Sequence, residues 1–179
     1  MDFSAEQLSF DDSKMQIDQR RTANKVRGFL TDEFERYLNY AGWNRSNLAT
    51  ITENHLTGIK TDVSGVSSGK GINSTESSFI QIVFSKYACQ AIYATINSCQ
   101  DGDKKPYRTI LKMCYLDEMD SYKVQTYLGY SKSRFDVLKR RALCEFADRF
   151  EAYKFKYKVG TIKDFHVYPK KSKKDLDNT

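Results

Sequence analysis

The chain has 179 residues, a net charge of +6 and 40% hydrophobic residues, which is enough for a packed core and too apolar for wholesale disorder. Its two prolines and nine glycines favour long helices over a turn-rich β fold. No run of about 18 apolar residues could cross a membrane, and the acidic first residues do not resemble a signal peptide, so we expect a cytoplasmic protein.

A first helix is predicted from about Ile17 to Ala41, because apolar residues recur there at steps of three and four. Gly42 suits a C-terminal cap, and the periodicity ends at Asn44. The apolar stripe must pack against something, either the helix around Phe79 or a second copy of the chain. We favour the second copy, because a linker separates the two helices. The stripe consists of Ala23, Val26, Leu30, Phe34, Tyr37, Leu38 and Ala41.

The next segment has the composition of a flexible linker, since "GIKTDVSGVSSGKGINSTESS" is rich in glycine and serine. Its "GVSSGKG" lacks the spacing of a phosphate-binding loop, and no apolar strand precedes it. We therefore divide the chain into an N-terminal helical segment (1–56), a linker (57–74), a helical domain (75–158) and a C-terminal extension with a mobile tail (159–179).

Three helices are predicted next in the chain. The first begins near Glu76 and is apolar enough through Ile96 to be buried on most sides. An amphipathic helix follows over Tyr107–Tyr115. Asp120 is a suitable N-cap for a short helix that Gly129 ends. The short helix carries Val124, Tyr127 and Leu128 as its apolar residues.

A long helix with Ser131 as its N-cap is predicted to reach about Lys158. Its apolar spacing fits either a coiled-coil seam between two copies or packing within one chain, and we favour packing within the chain. Residues 161–168, "TIKDFHVY", alternate weakly and predict a short strand or a docked extension. The helix carries Phe135, Leu138, Ala142, Leu143, Phe146, Phe150, Tyr153 and Tyr157 on its apolar side.

Two helices joined by the turn in "YLGYSKSRF" form the pattern of a helix-turn-helix motif. Val124, Leu128, Phe135 and Leu138 are expected to fix the angle between these helices. Residues 104–158 also carry 14 lysines and arginines against 7 aspartates and glutamates. A basic segment of this kind attracts phosphate, although a solvated basic helix face has the same composition.

The second helix of such a motif places its first turns in the major groove. Side chains at the tip can contact bases, and cations farther from the tip suit backbone phosphates. We predict base contacts by Lys132, Ser133, Arg134, Asp136 and Val137. We predict phosphate contacts by Lys123, Ser131, Lys139, Arg140 and Arg141.

No catalytic residue, metal site or cofactor is predicted. The four cysteines are 10 or more residues apart, and the two histidines, His55 and His166, are distant from each other. Each cysteine falls in a helical pattern, so we expect reduced thiols packed as small apolar groups. An enzyme is therefore the class of protein least favoured by the sequence.

The segment from Tyr107 to Lys154 resembles the C-terminal half of the ArpU family of phage-type transcriptional regulators. The likeness is carried by "YLGYS" at Tyr127–Ser131, by Arg134-Phe135 and by "LKR" at Leu138–Arg140. It extends more weakly over about Asp18–Lys158. The resemblance implies an all-α fold with a helix-turn-helix similar to the fourth region of sigma factors. It also implies a phage or prophage activator of late genes in a Gram-positive host.

The expected partners are double-stranded DNA, host RNA polymerase and a second copy of the chain, with no membrane. We expect the protein in the bacterial host cytoplasm, associated with the nucleoid. Two alternatives remain open: a small terminase-type DNA-packaging adaptor, which would assemble into a ring, and a basic helical module that binds an acidic protein.

Overall fold

The computed structural model describes residues 17–55 and 74–169, and within these residues the fold is all-α. The predicted linker, apart from Ser74, and the predicted tail from residue 170 lie outside the described residues. None of the described helices combines the length and hydropathy that a bilayer crossing requires.

The helices follow the predicted order, with one addition. A 3₁₀ turn at Arg45–Asn47 and a short helix follow Asn44, where the sequence periodicity ends. Asn44 starts this turn with a capping box, in which its side chain and that of Asn47 bond each other's backbone N–H. The elements are α1 (Gln19–Gly28), a π-helical turn (Phe29–Glu33), α2 (Phe34–Ala41), α3 (Leu48–His55), α4 (Ser74–Ser98), α5 (Tyr107–Tyr115), α6 (Ser121–Leu128) and α7 (Lys132–Lys156).

The π-helical turn between α1 and α2 keeps one apolar stripe on one side of the helix. Val26, Leu30, Phe34 and Leu38 follow each other in three steps of four, whereas three turns of an ideal helix need about 11 residues. The wider turn takes up the extra residue, and the Phe34 N–H bonds the carbonyl of Phe29, five residues earlier. These four side chains of the stripe are consequently buried.

The core lies between the long helices α4 and α7 and the N-terminal helix. α2 packs on α4, α1 packs on α7, and α5 packs on α7. The stripe of α1 and α2 is therefore buried inside the chain, and the expectation that it packs against a second copy is wrong.

α4 is buried over its second half only. Ala88, Ala91, Ile92 and Ile96 are fully buried, as predicted. Apolar side chains in its first half are exposed, so the prediction of a helix buried on most sides is wrong there. The reason is that α2 and α7 cover the later turns. The exposed side chains are Phe79, Ile80 and Ile82.

The apolar side of α7 packs within the chain, as favoured from the sequence. Phe146 and Phe150 are fully buried and stack with their centroids 5.2 Å apart. Tyr153 and Tyr157 are half-buried and stack on each other at the end of the helix. α7 ends at Lys156, two residues earlier than expected.

Residues 159–169 form a docked extension, one of the two structures that the sequence predicted. Phe165 is buried among three aromatic rings, the closest being Phe29 with a centroid separation of 4.7 Å. The backbone of Val167 bonds the chain near α1 twice: its N–H reaches Thr22 Oγ1 at 3.0 Å and its carbonyl accepts from the Asp18 N–H at 2.7 Å.

His166 fastens the extension to α7 through two carboxylates. Its Nδ1 lies 2.6 Å from Asp164, and its Nε2 lies 2.8 Å from Asp148 of α7. Burial alone would lower the pKa of His166, but the bonds to the two carboxylates raise it overall. Burial would raise the pKa of Asp164, but the bonds from the His166 backbone and ring lower it overall.

The hydrogen bonds of His166 to Asp148 and Asp164 predict a pH-dependent stability. Because the pKa of His166 is raised, its contribution is complete below about 6.5, the value in an unfolded chain, and is lost as the pH rises through the folded value. Asp164 contributes above its ordinary pKa and loses that contribution as the pH falls through its lowered value. The free energy of unfolding should therefore fall as the pH rises above about 6.5. His166→Gln should flatten that slope in denaturant titrations, and equal slopes for the two proteins would contradict the assignment.

Candidate nucleic-acid interface

A turn of three residues, Gly129, Tyr130 and Ser131, joins α6 to α7. Gly129 has a φ of 70°, the left-handed conformation that glycine adopts without strain, as the sequence predicted. Two side-chain hydrogen bonds hold the turn: Gln125 Nε2 donates to the Tyr130 carbonyl at 3.2 Å, and the Tyr130 hydroxyl donates to the Asp103 carbonyl at 2.8 Å. The turn is thus anchored both to α6 and to the loop before α5.

Apolar side chains of both α6 and α7 enter the common core. Val124, Phe135 and Leu138 are buried, and Leu128 is half-buried against the core. These are the four residues that the sequence placed on the inside of the motif, whereas their setting of the angle between the helices stays a prediction. Tyr127 differs, because 73% of it is exposed, although the sequence placed it on the apolar side. α6 has only eight residues, and its buried side is narrow enough for Val124 and Leu128 to fill.

The first turn of α7 is exposed to solvent. The Ser131 hydroxyl accepts the backbone N–H of Arg134 at 3.4 Å, so the predicted N-cap is confirmed. The predicted base-contacting residues begin directly after this cap. Lys132, Ser133, Arg134 and Asp136 are exposed, and Val137 is half-buried.

The predicted phosphate-contacting residues have different surroundings. Lys123, Ser131, Arg140 and Arg141 are exposed, whereas Lys139 is half-buried. The Lys139 ammonium donates to Ser121 Oγ at 2.7 Å and lies 5.4 Å from the centre of the Tyr115 ring. It therefore ties α7 to the start of α6, with ammonium protons left for a further acceptor.

Arg140 and Arg141 lie on different sides of α7. Arg140 faces α1, while Arg141 lies in a cleft with Lys105 and Glu145 on the side of the loop before α5. Successive residues of a helix are about 100° apart, so neighbouring cations reach different surfaces. The predicted phosphate contacts consequently do not form one continuous patch.

Two cations that the sequence interpretation missed lie beside α7. α1 contributes Arg20 and Arg27 to a polar groove whose other wall is formed by Asp136, Lys139 and Arg140. We call this the α1–α7 groove; Ala23 and Asn24 complete its lining. The sequence signal was available, because Gln19–Gly28 contains four basic residues and no acidic one.

α6 exposes two tyrosines that the sequence interpretation also missed as surface groups. Tyr122 is 75% exposed and lies beside Lys123, and Tyr127 is exposed to a similar extent. Tyrosine hydroxyls are common donors to phosphate oxygens in protein–DNA interfaces. The first helix of the pair therefore carries two exposed groups of this kind.

The cysteines lie where small apolar groups are expected. All four are free, with Cys89, Cys99 and Cys144 buried and Cys114 half-buried. Burial raises the pKa of Cys89 and Cys99 to about 12 and that of Cys144 to about 11. Thiols with pKa values this high are protonated at neutral pH and are poor nucleophiles.

One cluster of potential metal ligands occurs in the described residues, formed by Glu151, Asp164 and His166. The sequence had predicted no metal site. The cluster already holds a cation, since the Lys154 ammonium lies 2.8 Å from Glu151 and donates to the Ile162 carbonyl at 3.0 Å. Both ring nitrogens of His166 bond carboxylates as well. These contacts make the cluster part of the docking of the extension.

The fold and the exposed start of α7 define an all-α protein with a cationic helix tip. Comparison of the chain with protein families, curated proteins and solved structures gives no match.

Proposed function

We propose that the chain is a sequence-specific double-stranded DNA-binding transcriptional regulator that reads the major groove with the first turns of α7. The observation that carries the proposal is the exposed start of α7, where Lys132, Ser133 and Arg134 directly follow the turn capped by Ser131. A major groove about 12 Å wide admits an α-helix of that diameter. In this proposal α6, the turn and α7 form a helix-turn-helix unit similar to the fourth region of sigma factors.

The direction of regulation comes from the resemblance to the ArpU family. It suggests activation of phage or prophage late genes in the cytoplasm of a bacterial host, with host RNA polymerase as a second partner. Neither of the two dimer surfaces considered from the sequence is exposed, because the stripes of α1–α2 and α7 are buried within the chain. A homodimer would therefore need another surface. No catalytic residue and no cofactor enter the proposal.

Arg134→Ala tests the proposal at one base pair. An arginine that bonds guanine through its two acceptors contributes about 1–3 kcal/mol of discrimination. The operator is first obtained by selecting duplexes from a random pool with the purified wild-type protein. The variant should then lose affinity for the selected duplex by about 5- to 150-fold and lose its preference at a single position. Fluorescence anisotropy with single-base variants of the operator measures both.

The matched control is Lys156→Ala, an exposed cation on the same helix about 33 Å from the tip along the axis. It should leave affinity and base preference unchanged. Equal losses of Arg134→Ala on the operator and on random duplex would contradict base reading by this side chain. A ring of many copies in solution-mass measurements would favour the packaging adaptor, and absence of salt-sensitive duplex binding would favour the module that binds an acidic protein.

A further inference from the structure

The α1–α7 groove carries more positive than negative charge. Arg20, Arg27, Lys139 and Arg140 line it with Asp136 as its one carboxylate. None of the ion pairs among the described residues includes a cation of the groove. Cations gathered in a cleft repel one another and raise the local concentration of polyanions. The four cations of the groove therefore favour binding of an anionic group.

The packing of α1 against α7 gives the groove its direction. The Cys144 thiol donates to the Gln19 carbonyl at 3.4 Å, which places the start of α1 beside the middle of α7. Farther along α1, Arg27 lines the groove together with Asp136 of α7. α1 thus runs toward the tip of α7, and the groove leads to the residues proposed to contact bases.

The cations of α1 share one side of the helix. Arg20, Asn24 and Arg27 are separated by four and three residues, so their side chains lie above one another. Arg20 and Arg27 are about 10 Å apart along the helix axis. The other two cations of α1, Arg21 and Lys25, line a different cleft together with His166. One helix therefore presents equal charge on two separate faces.

We infer that the α1–α7 groove binds the phosphate backbone of the DNA duplex, so that α1 forms part of the DNA-binding surface. This inference rests on the proposed function. Arg20 and Arg27 contact phosphates on the strand that flanks the bases facing the tip of α7, and Arg140 contacts the same strand from the opposite wall. The groove contributes affinity without sequence preference, because phosphates are the same at every base pair. An acidic peptide is the competing occupant.

The central experiment compares two double variants of the full chain, each of which removes two positive charges from one face of α1. Log affinity falls as log salt concentration rises, and each phosphate contact adds about 0.9 to the magnitude of this slope, which is the quantity compared below. R20A/R27A should lower this slope by about 1.8, so that its loss of affinity between about 50 and 200 mM salt is about 12-fold smaller than that of the wild type. The affinity of R20A/R27A at low salt should fall equally on the selected operator and on random duplex. R21A/K25A carries the same change in net charge and should keep the wild-type slope.

A variant with an added positive charge distinguishes a change in phosphate contacts from a loss of folding. Asn24 lies between the two arginines, and Asn24→Lys should raise the slope by about 0.9, a result that an unfolded protein cannot imitate. Circular dichroism and thermal unfolding check each variant.

Equal slope changes in the two double variants would overturn the inference, since net charge alone would then explain them. An unchanged slope in R20A/R27A, with operator recognition lost in Arg134→Ala, would also overturn it and leave the proposed function standing. Binding of a polyglutamate peptide by the groove, with no binding of duplex by the wild type, would overturn both.

Discussion

Phe150→Ala should lower the free energy of unfolding by about 3–5 kcal/mol, the largest effect that we expect from a single substitution in this chain. Phe150 is fully buried, and its ring contacts three others, with centroids 5.6 Å from Phe29, 5.2 Å from Phe146 and 5.5 Å from Phe165. It therefore joins the π-helical turn, α7 and the C-terminal extension. A domain is typically stable by about 5–15 kcal/mol, so the variant would lie near the limit of folding.

Guanidinium titration monitored by far-ultraviolet circular dichroism measures the loss. Phe155→Ala is the matched control, because Phe155 is on the same helix and is 89% exposed. The control should stay within about 0.5 kcal/mol of the wild type. Phe150→Leu retains most of the volume and gives a smaller loss if the alanine variant does not fold. Similar losses for Phe150→Ala and Phe155→Ala would refute the packing described for the extension.

Arg45→Ala should lower the free energy of unfolding by about 2 kcal/mol. The guanidinium donates to the Tyr115 carbonyl at the end of α5 and to Glu35 at 2.8 Å, and its Nε lies 3.1 Å from a carboxylate oxygen of Glu118. It also lies 4.9 Å from the centre of the Phe34 ring. Both glutamates are exposed, so solvent screens their pairing, and most of the loss comes from the unpaired carbonyl.

Arg45→Lys should recover little of this stability, because one ammonium cannot reproduce the planar fork that reaches three partners. Arg36→Ala, which removes an exposed cation from α2, is the control and should change stability by less than about 0.5 kcal/mol. The same denaturant titrations apply. Full stability in Arg45→Lys would show that charge alone, without directed hydrogen bonds, is what holds these elements together.

The helices of the C-terminal half could be predicted from the sequence because their signals are local. Ser131 is an N-cap and Gly129 is a left-handed C-cap in the structure, and both depend only on neighbouring backbone. Apolar spacing likewise predicted the buried side of α7. The exposure of Tyr127 could not be predicted in this way, because it depends on how much of α6 the rest of the fold covers.

The position of the N-terminal helix could not be predicted from local signals. Its stripe fits a second copy or the same chain equally well, and only the complete fold shows that α4 and α7 cover it. The π-helical turn had a signal, three consecutive steps of four between Val26 and Leu38, that plain helical periodicity treats as an ordinary stripe.

The α1–α7 groove was missed for a different reason. The net charge of residues 1–103 is negative, and this sum does not show that α1, where Arg20 and Arg27 lie, is itself basic. Their proximity to Arg140 is a tertiary contact between residues more than 100 positions apart. The exposed start of α7 lies where the sequence placed it, whereas its role in reading bases stays a prediction.

The bond between the Asp18 N–H and the Val167 carbonyl brings the two flanks of the described core together. The polypeptide enters and leaves the core at neighbouring points, even though nearly the whole chain lies between them. A short peptide joining these flanks would close a ring without crossing the domain. Such a covalent closure would restrict the unfolded chain far more than the native one, so it should favour the native state on entropic grounds.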